Sequence, residues 1–185
     1  MGVELREFVK IKNFDKLAGK LSAKLADNSR YHICEEKLDK LSWPDPVHDQ
    51  GICDFKPLGM WYGFGDSWLR FLEEEAEYYA WALHRIDRAR FIYRLRLDTR
   101  KILRLDGKRD FNSFTYKYGM ALPSRGPKHN LLIDWEQVSK VYSGIEIRGC
   151  ESWMNEYLWY DGWSCASGCL WSGNGLRGIE VAYEF

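Results

Sequence analysis

Three elements of this sequence stand out as able to carry chemistry, and they bear a glutamate, a histidine and a tyrosine. Glu146 lies in Tyr142-Ser143-Gly144-Ile145-Glu146-Ile147. If this run is a strand, Ile145 and Ile147 share one side and Glu146 takes the other. A carboxylate so placed either meets solvent or belongs to a site. His32 follows Arg30 and Tyr31 at the first plausible strand. Tyr62 lies in the aromatic run Met60-Trp61-Tyr62-Gly63-Phe64, entered through Lys56-Pro57-Leu58-Gly59. A carboxylate in a site can stabilise positive charge that develops in a reaction. Flat aromatic rings can sandwich a planar ligand ring. Each residue also has a plain structural use, as a packed tyrosine, a satisfied histidine or a solvated arginine.

Two further groups compete with these. Between residues 85 and 109 the chain is rich in arginine, and Arg90, Arg94 and Arg96 alternate with Phe91, Tyr93, Leu95 and Leu97. That is a half-buried strand with a basic outer face. Such a face either tracks a phosphate backbone or pairs with acids, and Glu73-Glu74-Glu75 with Glu77 is available for pairing. In the tail, Ser167 and Cys169 are nucleophile types, but no histidine neighbours them in sequence. The five cysteines are Cys34, Cys53, Cys150, Cys165 and Cys169. Their spacing fits neither a disulfide framework nor a tetrahedral metal site, so reduced thiols and no metal are expected.

Several function classes lose their footing here. The sequence has no GxGxxG after a strand, no phosphate-binding loop, no GxSxG elbow and no HExxH. Lys+Arg and Asp+Glu balance at 27 each, so no global positive field exists to hold a long nucleic acid. No uncharged run approaches a membrane span, and the first residues lack a signal pattern. The expectation is a cytoplasmic, intracellular protein without a membrane partner.

The motifs Tyr31-His32, the aromatic strand with Tyr62 and the late strand with Glu146 resemble the His-Tyr-Glu branch of the ADP-ribosyltransferase superfamily. The resemblance implies a split, curved β-sheet with a cleft for NAD. It implies an enzyme that cleaves nicotinamide from NAD and passes ADP-ribose to a macromolecule, either protein or nucleic acid. On that reading Glu146, His32 and Tyr62 are catalytic. Tyr31 or Trp61 supplies the second aromatic wall, and Arg30 or Lys56 meets the pyrophosphate. The sequence departs from the pattern where Ile33-Cys34 replaces Gly-Thr and where Gly144 stands two residues before Glu146. A second resemblance, through Lys56-Pro57-x-Gly59-x-Trp61, Tyr142-x-Gly144-Ile145-Glu146-Ile147 and Ala166-Ser167-Gly168-Cys169-x-Trp171, is to an uncharacterised family found in viruses and bacteria. It implies no activity, but it joins the tail to the rest of the domain.

The elements that must position these groups are legible in outline. Length and composition suit one domain over 1–185, with an N-terminal helical segment (1–29) before a core (30–185). Helices are expected over 14–25, 66–85, 110–118 and from Asp134 to near 142, the last capped by Asp134. Strands are expected over 30–34, 60–64, 88–98, 102–105, 144–147 and 178–185, with long loops at 42–59 and 119–130. This order has no βαβ rhythm, so the class is α+β with a curved or split mixed sheet. Five of the nine tryptophans fall between 134 and 171. Either they are core, or they line a pocket. A non-catalytic reading therefore stands beside the enzyme: a Trp-rich surface that binds a protein or single-stranded nucleic acid.

Overall fold

The computed structural model describes residues 25, 28–38, 41, 43, 55–76, 78–79, 81–82, 85, 88–121 and 131–184. Its strands and helices are β1 (Arg30–Cys34), β2 (Met60–Phe64), α1 (Ser67–Ala76), β3 (Phe91–Leu97), β4 (Ile102–Leu105), α2 (Lys108–Tyr118), β5 (Gly119–Ala121), β6 (Leu131–Ile133), α3 (Trp135–Ser139), β7 (Gly144–Ile147), β8 (Ser167–Leu170) and β9 (Leu176–Glu184). The helix expected over 14–25, apart from residue 25, and most of the loop 42–59 lie outside the described residues.

Seven strands form one sheet in the order β4-β7-β8-β2-β1-β3-β9. β4 and β7 run parallel, and the other neighbours are antiparallel. The sheet curls into a half-barrel, with few helices around it. β5 and β6 make a separate two-stranded ribbon. The class is α+β, as the element order implies.

Register decides which side chains share a face. Tyr62 stands opposite Gly168, Gly168 opposite Glu146, and Arg30 opposite both Phe64 and Leu95. Opposed residues point the same way, and so do alternate residues along a strand. Arg30, Tyr62, Phe64, Leu95 and Glu146 therefore share one side, the Glu146 face. Tyr31, Ile33, Trp61, Gly63, Ser167, Cys169, Ile145 and Ile147 share the other, the Trp61 face.

Two separate covers pack on the Trp61 face. The larger is built from the Trp-rich tail and α2, and it seats Phe111, Trp135, Trp159 and Trp171 against Ile145 and Ile147. α2 offers Phe111, Phe114, Thr115 and Tyr118 at helical spacing, all buried. The Trp159 indole donates to the Thr115 hydroxyl at 2.8 Å, and the Trp171 indole donates to the Tyr142 carbonyl at 2.7 Å. Burying indoles deeply requires such partners. Asp134 caps α3 by accepting from the Gln137 amide at 3.0 Å, so the cap legible in the sequence forms. The smaller cover brings Leu69 of α1 onto Tyr31 and Ile92.

Some elements differ from expectation. α1 ends at Ala76, and α3 stops at Ser139. β6 and β8 emerge from segments that carry turn residues. β8 is Ser-Gly-Cys-Leu, a poor strand former by itself. It is extended because β2 and β7 pair with it on both sides.

Candidate functional site

Glu146 is buried by the sheet's own geometry. It is 0% exposed and carries its charge in the interior. Arg30 makes a two-pronged contact with it: Nε donates to Oε1, and Nη2 donates to Oε2 at 3.2 Å. The Tyr62 hydroxyl donates to Oε1 at 3.1 Å. Arg148 Nη2 lies 3.6 Å from Oε2. The guanidinium groups of Arg30 and Arg148 stand 5.7 and 4.8 Å from the Phe64 ring centroid. Burial works against the Arg30 charge, but Glu146 more than offsets it, so the guanidinium is held more firmly protonated than usual. Burial and the adjacent carboxylate push the Tyr62 phenol well above its ordinary range.

Gly168 makes this cluster possible. It lies between Tyr62 and Glu146 in the sheet, and a Cβ there would come within 2.5 Å of the Tyr62 Cζ and hydroxyl oxygen. The bare backbone lets the phenol lie across β8 and reach the acid.

A cleft of about 850 Å³ opens elsewhere. Its walls include Tyr31, Ile33, Trp61, Gly63 and Ser167 from the Trp61 face, and Trp68, Phe71 and Leu72 from α1. The turn 162–165 closes one side through Gly162, Trp163, Ser164 and Cys165. The cleft thus fills the gap between the two covers, over β1 and β2. Its size and mainly apolar lining suit a small-molecule site. Glu146 and Arg30 are not among its walls.

Lys56 and Trp61 form the polar corner of the cleft. Lys56 Nζ stands 5.2 Å from the Trp61 ring centroid, a cation–π distance. Trp61 meets Trp163 edge-on with centroids 4.8 Å apart, and Trp163 stacks on Tyr160. Gly162 adopts φ +80°, and a Cβ on it would lie 3.2 Å from the Lys56 Cε. Lys56 is exposed as a residue, yet its amine rests against this corner, and the desolvation lowers its pKa. No carboxylate among the described residues pairs with it. The Trp163 Nε1 is buried without a hydrogen-bond partner.

The sequence-predicted residues divide between the two places. Tyr31, Lys56, Trp61, His32 and Tyr62 border the cleft. The Tyr62 hydroxyl, however, is committed to Glu146 on the far face. The His32 Nδ1 is 2.7 Å from the Trp61 carbonyl, so this nitrogen carries the proton and donates. Burial lowers the His32 pKa, which keeps the ring neutral near pH 7. Tyr31 is buried and accepts from Arg94 Nη2 at 2.9 Å. Sequence reasoning missed the α1 contribution to the cleft. Its signal was present in the spacing of Trp68, Phe71, Leu72 and Glu75.

Arginines of the row meet partners within the chain, at the surface. Arg94 and Arg96 lie 4.0 and 3.7 Å from Glu180 on β9, and Arg90 donates to the Ala89 carbonyl. Glu180 thus answers Arg94 and Arg96 on this face. In the tail, burial raises the Cys165 thiol to about 11 and the Cys169 thiol well above its ordinary value. Both are thiols at neutral pH, which makes them poor nucleophiles. The Ser167 hydroxyl donates to the Cys165 carbonyl at 2.9 Å. Cys53 lies outside the described residues. Among the described residues no group of three or more His, Cys, Asp and Glu is placed to hold a metal. No helix among them is long and apolar enough to cross a membrane. Compared with known proteins, the chain matches no family model, no curated protein and no solved structure.

Proposed function

We propose that this domain binds a nucleotide-sized ligand with a flat ring and an anionic group, NAD being the ligand that the sequence resemblance implies. The observation that carries this reading is the corner where Lys56, with no carboxylate partner among the described residues, and the two indoles of Trp61 and Trp163 border one cleft. Aromatic walls stack a base or a nicotinamide, and stacking contributes about 1–3 kcal/mol per ring. Lys56 supplies the charge for a phosphate. An anion bound beside it would offset its partial desolvation.

The ADP-ribosyl transfer that the resemblance also implies needs a carboxylate beside the ribose of the bound ligand. Glu146 is neutralised by Arg30 and Tyr62 across the sheet from the cleft, so this reading assigns it to structure. Calorimetric titration with NAD, ADP-ribose and nicotinamide tests the proposal. Saturable binding of NAD, weakened about tenfold or more by Trp61→Ala and by Lys56→Ala, is expected. Absence of binding by the folded wild type would sink it. Nicotinamide release, measured with candidate protein and nucleic-acid acceptors, reports separately on transfer.

A further inference from the structure

The acidic run of α1 is not uniform. Trp68, Phe71, Leu72 and Glu75 follow the spacing i, i+3, i+4, i+7, which places them on one face of the helix. All four line the cleft. Glu74 is exposed and lies off this stripe, as does Glu73. Glu75 therefore brings a carboxylate to the aromatic face of an amphipathic helix, where an apolar residue would serve packing better. Its side chain is partly buried. Among the described residues its carboxylate has no hydrogen bond or ion pair, whereas Glu73 on the same helix has an interaction of its own. The other cleft carboxylates differ: Glu35 is paired with Arg88 at 2.6 Å, and Glu36 is exposed. A carboxylate on the apolar face of a helix without a partner among the described residues contributes nothing to packing there.

We infer that Glu75 is the specificity-determining residue of the cleft, accepting hydrogen bonds from the vicinal hydroxyls of a ligand ribose while Lys56 meets the ligand's phosphate. This rests on the cleft being the ligand site. The two charges suit the two ends of a ribonucleotide: a cation for the phosphate and an acceptor pair for the diol. A charge-assisted hydrogen bond of this kind contributes enough to change affinity about tenfold.

The test compares wild type, Glu75→Gln and Glu75→Leu by calorimetric titration with NAD and with ADP-ribose, and follows the thermal unfolding of each unliganded protein. The expected result is a loss of about tenfold or more in affinity for both ligands in Glu75→Leu, a smaller loss in Glu75→Gln, and an unliganded Tm that is unchanged or higher in both. A carboxylate with a structural role would instead lower Tm on replacement, and that result overturns the inference. Unchanged affinity in Glu75→Leu overturns it while leaving the cleft reading intact. A loss seen with NAD and absent with ADP-ribose would set the nicotinamide ring against Glu75 and overturn the diol assignment. If the folded wild type binds neither ligand, the cleft reading fails and this inference fails with it.

Discussion

Glu146 places a carboxylate in the interior, and the protein answers it with Arg30, Tyr62 and, at longer range, Arg148. A buried pair of this kind adds little net stability, but removing one partner strands the other. Glu146→Gln keeps the shape and leaves the Arg30 guanidinium, 15% exposed, without its counter-charge. Urea denaturation should show a loss of about 3 kcal/mol, with ligand binding by the folded fraction retained. Full stability in this variant would contradict the structural role given to the pair. His32 titrates in the opposite sense to a salt-bridged histidine. Burial depresses its pKa below the ordinary 6.5, so the unfolded chain takes up the proton first as pH falls. Between the two values the unfolded state binds more protons, and stability drops on acidification. Tm should decline as the pH is lowered through about 6.5, and His32→Asn should flatten that part of the profile. Identical profiles for the two proteins would show that His32 plays no part.

At the scale of elements, the sequence was most readable where local pattern and tertiary demand agree. β1, β2, β4 and β7 match their expected bounds, since each is a short run carrying β-branched, aromatic or other apolar residues. The Asp134 cap and the alternation of Phe91, Tyr93, Leu95 and Leu97 were equally plain, and those four side chains pack in one cluster on the Glu146 face. The alternation also put Glu146 opposite Ile145 and Ile147. What it could not tell was which face the cleft occupies, because both faces of β7 are covered and every residue of the strand is buried. β8 was illegible for a different reason. Its Gly168 is a turn signal in sequence, yet in the sheet it is the gap through which Tyr62 reaches Glu146. Gly168→Ala should therefore cost about 1–3 kcal/mol by overpacking, read as a lower denaturation midpoint. The added methyl meets both the phenol and the Ile145 carbonyl, at 2.7 Å from the latter. An unchanged midpoint would mean that the phenol does not lie across β8.

At the scale of the molecule, the chain places two covers on one face of a curled sheet and leaves a cleft between them. The Trp-rich tail serves both structure and site: Trp159 and Trp171 are interior, while Trp163 closes the cleft beside Lys56 and Trp61. That arrangement separates the buried ion pair from the cleft, whose wall includes Trp61. Hydrogen–deuterium exchange of the full chain with and without saturating NAD locates the ligand most directly. The account predicts slowed exchange over 56–63, α1 and 161–165, with no change over β4 and β7. Protection confined to the segment around Glu146, or protection nowhere, would contradict it.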